Sequence, residues 1–197
     1  MPLFNQSGWY LAGGTALALQ AGHRKSVDLD FFTTLDTFDE GRVAESMSNA
    51  GEWKTASLSQ GTLYGEFMSA KASFISYPSF SPADELIEVG SVSILTPSDI
   101  AAMKIIAVSQ RGRKRDFFDL YWLSINVLPL GKSVDRAQRQ YSVRQNINHI
   151  LKSLVYFDDA EDDPDPDTNF KVSWKQVKDF FAKEVRAIAD KIIGGLS

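Results

Sequence analysis

Trp9-Tyr10-Leu11-Ala12-Gly13-Gly14-Thr15-Ala16-Leu17-Ala18-Leu19, then Gly22-His23-Arg24-Lys25-Ser26, then Val27-Asp28-Leu29-Asp30-Phe31-Phe32, is the stretch that decides the fold. A short apolar run ends in two glycines. An amphipathic segment follows, and a second apolar run carries two aspartates at i and i+2. The pattern predicts a strand over 9–12, a Gly-Gly turn, a helix over 15–21 closed by Gly22, and a second strand over 27–32. Glycine lets a ligand approach the backbone because no Cβ stands in the way. The unpaired N–H groups of a helix starting near Thr15 suit phosphate oxygens. On a strand, residues i and i+2 share a face, so Asp28 and Asp30 are expected side by side, about 7 Å apart, with Leu29 turned toward the core. Two carboxylates so placed are a seat for Mg²⁺, which takes oxygen ligands together with substrate phosphates.

This order of elements resembles the core signature of the polymerase-β-like nucleotidyltransferases. Within that superfamily, Gly-Gly-Thr-Ala-Leu-Ala-Leu, Gly-His-Arg-x-Ser and Asp-Leu-Asp-Phe-Phe are similar to the first motif of the AbiEii/AbiGii toxin-type family. Gly-Gly or Asp-x-Asp alone would be weak; the whole run 9–32 is specific. His23 and Arg24 fall inside the family-like wording and are read as adjacent to the site, Arg24 as a nucleotide-binding candidate.

Two later stretches extend the resemblance. Thr96-Pro97-Ser98-Asp99 is a helix start, with Thr96 as N-cap, Pro97 in the first turn and Asp99 as a capping acid. On the helix that follows, to about residue 110, Ile100, Lys104, Ala107, Val108 and Arg111 share one face. Leu95-x3-Asp99-Ile100-x3-Lys104 looks like the family's second signature, which implies that Lys104 contacts the nucleotide; the plain alternative is a lysine snorkelling at the core edge. Arg113-x-Arg115-Asp116-x2-Asp119 looks like the last signature, with Arg115 where the family has lysine. The helix predicted over 116–125 is apolar nearly all round. Asp116 and Asp119 are therefore expected to be buried and paired with cations drawn from Arg24, Lys104, Arg111, Arg113 and Arg115. A purely structural ion-pair network and a catalytic or nucleotide-binding role stand level for this pair. Polymerase-β-like enzymes also carry a third metal-binding acid on a later strand. The strand predicted over 71–77 has none, and Glu66 on the strand before it is the nearest acid.

The remaining chain reads as a helix over 39–50 with Asp39 as N-cap and Gly51 as stop, strands over 62–69 and 71–77, and a short strand within 86–94. Breaks at Pro129 and Gly131 suggest a nucleotidyltransferase core over 1–128 and a helical extension over 129–197, with helices over 134–155 and 173–193. The acidic run 158–167 between them reads as a solvated, self-repelling loop. Arg144-x4-His149 matches a short pattern of helical RNases, but a surface helix bearing one Arg and one His is the better explanation of so short a match.

With 197 residues, 44% of them hydrophobic, the chain can fill a real core. Absence of cysteine rules out disulfides and thiolate metal sites. No signal peptide and no run of membrane-spanning length is expected, which favours the cytoplasm. A net charge of −4 means that any nucleic acid must be met by a local patch. The fold class expected is α/β (α+β), a small mixed sheet with packed helices. The resemblance implies a Mg²⁺-dependent transfer of a nucleoside monophosphate from an NTP to an acceptor, RNA and above all tRNA, in a toxin-like protein with a cognate antitoxin. Gly13, Gly14, Thr15, Arg24, Lys104 and Asp119 would bind the nucleotide. Asp28 and Asp30 would hold the metal, and Asp28, Asp30, Lys104 and Asp116 would carry the chemistry. The alternative is a nucleotide-binding or regulatory module that keeps the fold with reduced catalysis, to which the lacking third acid points.

Overall fold

The computed structural model describes residues 8–194; apart from Gly8, the lead expected at 1–8 lies outside them. The chain divides into two compact units, one made of Met1–Ala21 and Ser26–Thr96, the other of Gly22–Lys25 and Pro97–Ser197. The division falls at Thr96/Pro97, whereas the Pro129–Gly131 break lies inside the second unit.

The first unit is built on a mixed sheet. Its strands are β1 (Trp9–Ala12), β2 (Leu29–Thr33), β3 (Trp53–Ser59), β4 (Thr62–Phe67), β5 (Ala70–Ser76), β6 (Ile87–Val89) and β7 (Val92–Ile94). Among the described residues they lie in the order β3-β4-β5-β2-β1-β7-β6. The four residues of β1 are all buried, as their unbroken apolar run requires. β1 runs antiparallel to β2 and parallel to β7, and β2 runs parallel to β5. Helix α1 (Gly13–Ala21) leaves β1 directly, and α2 (Glu40–Ala50) crosses between β2 and β3. Asp39 caps α2 by accepting from the Arg42 N–H at 2.9 Å. Leu11, Phe31, Leu63 and Phe74 are buried, as are Val43 and Met47 of α2. Phe74 stacks on Phe31 at 5.0 Å and takes the edge of Trp9 at 5.4 Å.

Several elements of this unit differ from expectation. Helix α1 begins at Gly13 rather than Thr15. Strand β3 had no signal, because Trp53-Lys-Thr-Ala-Ser-Leu-Ser is an exposed edge strand without apolar alternation, held by its pairing to β4. One strand expected within 86–94 is the hairpin β6–β7.

The second unit is helical. It contains α3 (Pro97–Arg111), α4 (Lys114–Asn126), α5 (Leu130–Gln140), α6 (Ile147–Ser153), the single turn α7 (Asp158–Glu161) and α8 (Trp174–Gly194). Phe117, Leu120, Leu123, Val134, Ile150, Val177 and Phe181 fill its core. The helix expected over 134–155 is two helices. Asn146 starts the second by accepting from the N–H groups of Asn148 and His149 at 3.0 and 3.3 Å, a cap that an uninterrupted polar stretch conceals. His149 is exposed and its ring N–H donates to the Ser109 carbonyl at 3.2 Å, a surface arrangement. Asp99, expected as a capping acid of α3, is fully buried and accepts from Arg136 Nε at 2.8 Å and from Gln140. The acidic run 158–167 is not a self-repelling loop. Asp163 pairs with Arg113 at 2.8 Å, Asp165 with Lys114 at 3.2 Å, Asp167 with Lys25 at 2.6 Å and Glu161 with Lys178 at 2.7 Å.

Candidate active site

In the first unit the geometry begins where β1 becomes α1. Gly13 has φ +72°, and a Cβ there would stand 3.1 Å from Asp30 Oδ2. Glycine is required twice over, for the backbone conformation and for the space. Asp30 is brought there by register, because it pairs with Ala12, the residue before the turn. The first turn of α1 carries no acid of its own, so the half-buried Asp30 carboxylate lies against a helix start whose N–H groups lack intrahelical partners. Its second oxygen, Oδ1, accepts from the Ser73 hydroxyl at 2.7 Å. Ser73 stands beside Asp30 on the parallel strand β5. Thr15, buried in the first turn of α1, donates its hydroxyl to Ser26 Oγ at 2.9 Å.

Asp28 departs from expectation. Strand β2 starts at Leu29, so Asp28 lies one residue outside it, and the shared strand face holds for Asp30 alone. Both aspartates are half-buried. No group of three or more His, Asp and Glu suited to a metal is found among the described residues. Ser73 occupies the position on the neighbouring strand where a third acid would stand beside Asp30. Glu66, the other candidate, is exposed on β4, which lies beyond β5 from β2, and is in register with Lys54 and Lys71. The donor set is the Asp30 carboxylate beside the Ser73 hydroxyl, with Asp28 two residues earlier in the chain, all hard oxygens. It fits Mg²⁺ in the mode where one or two carboxylates are completed by substrate phosphates, and not as an all-protein cage.

In the second unit Lys104, Asp116, Asp119, Arg24 and His23 form one buried ionic cluster. Asp116 and Asp119 are fully buried and Lys104 is 4% exposed. The Lys104 amine donates to Asp116 and, at 2.7 Å, ion-pairs with Asp119. Asp119 also accepts from Arg24 through Nε and, at 2.9 Å, through Nη2, and from His23 Nε2 at 2.7 Å. Asp116 is closed by Arg111, whose Nε donates at 3.0 Å. Spacing explains the convergence: Asp116 and Asp119 lie one turn apart on α4, and α3 places Lys104 and Arg111 about two turns apart.

Burial by itself would lower the Lys104 pKa, but the charges of Asp116 and Asp119 outweigh it and hold the amine above its ordinary value. Burial by itself would raise both aspartates. For Asp116 the charges of Lys104 and Arg111 win, and for Asp119 Lys104, Arg24 and His23 win, so both stay well below the ordinary carboxylate range. Three permanent cations face two carboxylates, and Arg111 keeps about half of its side chain in solvent.

Of the residues singled out in sequence, Gly13, Gly14, Thr15 and Asp30 come together in the first unit, with Asp28 just beyond the strand. Arg24, Lys104, Asp116 and Asp119 come together in the second. Of the five cations expected around the acids, Arg24, Lys104 and Arg111 pair with them; Arg113 pairs with Asp163. His23, read only as site-adjacent, is a full member of the cluster. Ser73 had no sequence signal, since its neighbour Asp30 is 43 residues away. Ser26 had one, as the last residue of Gly-His-Arg-x-Ser.

The chain is 34% identical over 185 residues to the uncharacterised protein aq_aa25 of Aquifex aeolicus (strain VF5), covering 90% of this chain and 86% of that one. In fold it is similar to MenT4, the nucleotidyltransferase toxin Rv2826c from Mycobacterium tuberculosis H37Rv, with TM-score 0.58 and 18% identity over 95% of this chain and 77% of that one. It is also similar to JHP933 from Helicobacter pylori, with TM-score 0.52 and 16% identity over 98% and 88%. Residues 3–63 and 67–191 match the family model described as nucleotidyl transferase AbiEii toxin, type IV TA system.

Proposed function

Because the chain belongs to the AbiEii nucleotidyl transferase toxin family and is thus a nucleotidyltransferase, we propose that it moves a nucleoside monophosphate from an NTP to an RNA acceptor, tRNA above all, with Mg²⁺. One observation carries this reading: the Asp30 carboxylate stands against the Gly13 turn at the start of α1, 3.1 Å from where a Cβ would be. A carboxylate beside a phosphate-binding helix start is the combination that a metal-bridged triphosphate needs.

In this reading the N–H groups of Gly13, Gly14 and Thr15 hold triphosphate oxygens. Asp28 and Asp30 hold the metal, and Ser73 orients Asp30 by donating to Oδ1. Bound there, Mg²⁺ would neutralise charge on the transferring phosphoryl group. Arg24 and Lys104 supply positive charge for the nucleotide. Asp116 and Asp119 keep those cations charged and fixed, so the acids act through them. The family supports a toxin role with an antitoxin partner. No helix among the described residues is long and apolar enough to cross a membrane.

Incubation with labelled NTPs, Mg²⁺ and total RNA tests the reading. Label is expected on RNA, dependent on NTP and Mg²⁺, and absent for Asp30→Ala at unchanged thermal stability. Full transfer by folded Asp30→Ala would sink the metal assignment. The second reading, a nucleotide-binding module with reduced turnover, rests on Ser73 standing where a third acid would be. It predicts NTP binding without label transfer to any acceptor.

A further inference from the structure

Residues 167–169 close over the loop Gly22–Lys25 in the second unit. The Asn169 N–H donates to the His23 carbonyl at 2.8 Å, and the Lys25 N–H donates to the Asp167 carbonyl at 3.0 Å. Arg24 and Thr168 form an antiparallel bridge between these two bonds. The Asn169 side-chain amide adds a bond of 2.6 Å to the Gly22 carbonyl, and the Lys25 amine pairs with the Asp167 carboxylate.

The segment that delivers these contacts is itself fixed. Buried Lys114 donates its amine to the carbonyls of Glu161 and Asp163, and its backbone N–H donates to the Asp163 carboxylate at 3.0 Å. Arg113 holds the same carboxylate. At the same end the Trp174 ring N–H donates to the Glu161 carboxylate at 3.1 Å. Residues 161–169 are therefore a strap clamped to α4 and to the start of α8, with its free stretch laid along the loop that carries His23 and Arg24.

We propose that Asn169 is a positioning residue: through this strap it sets the backbone of Gly22–Lys25, and with it the Arg24 guanidinium in the Lys104–Asp116–Asp119 cluster. The proposal rests on the reading of that cluster as the cationic part of the nucleotide site. Arg24 is held at its head group and at its backbone, and its Nη1 also donates to the Lys25 carbonyl at 2.9 Å. Asp119 fixes its head group and the strap fixes its backbone. Release of the backbone leaves the guanidinium on Asp119 but frees the loop to drift, which misplaces charge toward the nucleotide without emptying the core. Asn169 is exposed, so its replacement removes no packing, and any effect on nucleotide handling travels through these hydrogen bonds.

Three variants grade the perturbation. Asn169→Ala removes the bond to Gly22. Asn169→Asp sets a carboxylate oxygen against the Gly22 carbonyl in nearly the same shape. Asn169→Pro removes that bond and the N–H to His23 as well. The KM for NTP is expected to rise about fivefold for Ala, more for Asp and about thirtyfold for Pro, with kcat changed less and thermal stability nearly constant. A purely structural role would lower kcat in step with the folded fraction and leave KM unchanged. Hydrogen exchange at the Lys25 amide is the second measurement: in Asn169→Pro it should quicken about tenfold or more as local opening becomes easier. Exchange unchanged in that variant overturns the strap, whatever the kinetics. Faster exchange with unchanged KM overturns the positioning role. If the wild-type protein neither binds nor uses NTP, the parent reading fails, while the exchange result still decides whether the strap holds the loop.

Discussion

Asp119→Asn is the sharpest perturbation of the buried cluster. The native carboxylate is fully buried and receives Lys104, both nitrogens of the Arg24 fork and His23. The asparagine keeps the shape, but one of its two polar ends becomes an NH₂ that faces cations. Lys104 then keeps its bond to Asp116, while Arg24 loses the carboxylate that takes its Nε and Nη2. Removal of one partner from a buried ion pair costs about 3–5 kcal/mol. At roughly 2–4 °C per kcal/mol for a chain of this size, the melting temperature should fall by about 6–20 °C. The pH dependence gives an independent check. The folded Asp119 pKa is depressed below its ordinary value of 3.8, so its stabilisation is fully present above that value and is lost as pH falls below it. Wild type should lose stability steeply below about pH 4, and Asp119→Asn should show a shallower acid limb. Thermal melts by circular dichroism from pH 3 to pH 8 measure both effects. A drop of under about 2 °C at pH 7, or parallel acid limbs, would show that Asp119 is not the counter-charge described.

Lys104→Met should cost about as much. The same melts measure it. Gly13→Ala forces φ +72° on a residue with a Cβ 3.1 Å from Asp30 Oδ2; it should cost about 1–2 kcal/mol and lower transfer by more than the folded fraction explains. Ser73→Ala removes the donor to Asp30 Oδ1 and should raise half-saturating Mg²⁺ about tenfold, as for a charged hydrogen bond, read from a metal titration of the transfer rate. Ser73→Asp places a carboxylate beside Asp30 in register and should allow Mn²⁺ binding without NTP, measured by electron paramagnetic resonance; no gain would refute the placement.

Legibility in sequence follows the range of the interaction. The Gly13-Gly14 turn, α1, the Asp39 cap and the start of α3 at Pro97 depend on neighbours within a turn, and the residues announce them. Burial of Asp116 and Asp119 was also legible, because a carboxylate on a helix apolar nearly all round needs a cation. The unread features depend on distant partners. Ser73 meets Asp30 only because β5 runs parallel to β2. His23 meets Asp119 across 96 residues. The acids of 158–167 repel one another in isolation; they are held because Lys25, Arg113, Lys114 and Lys178 come from elsewhere in the chain. Edge strand β3 is polar and exposed, so pairing rather than pattern makes it a strand.

The proposed two-carboxylate seat bears on how metal and nucleotide bind together. Mg²⁺ gives up water reluctantly and usually keeps several waters when few protein ligands are offered. With Ser73 rather than an acid beside Asp30, and no cluster of three metal-binding side chains among the described residues, the protein alone gives the ion little reason to stay. On the proposed reading, triphosphate oxygens at the start of α1 complete the shell, so metal and nucleotide bind each other's partner site cooperatively. By linkage, each must then strengthen the other's affinity by the same factor. Calorimetric titration of Mg²⁺ with and without a non-hydrolysable NTP, and of that NTP with and without Mg²⁺, should return equal factors after correction for the metal–nucleotide complex in solution. Tight Mg²⁺ binding to the nucleotide-free protein would refute a seat made of Asp28 and Asp30 alone.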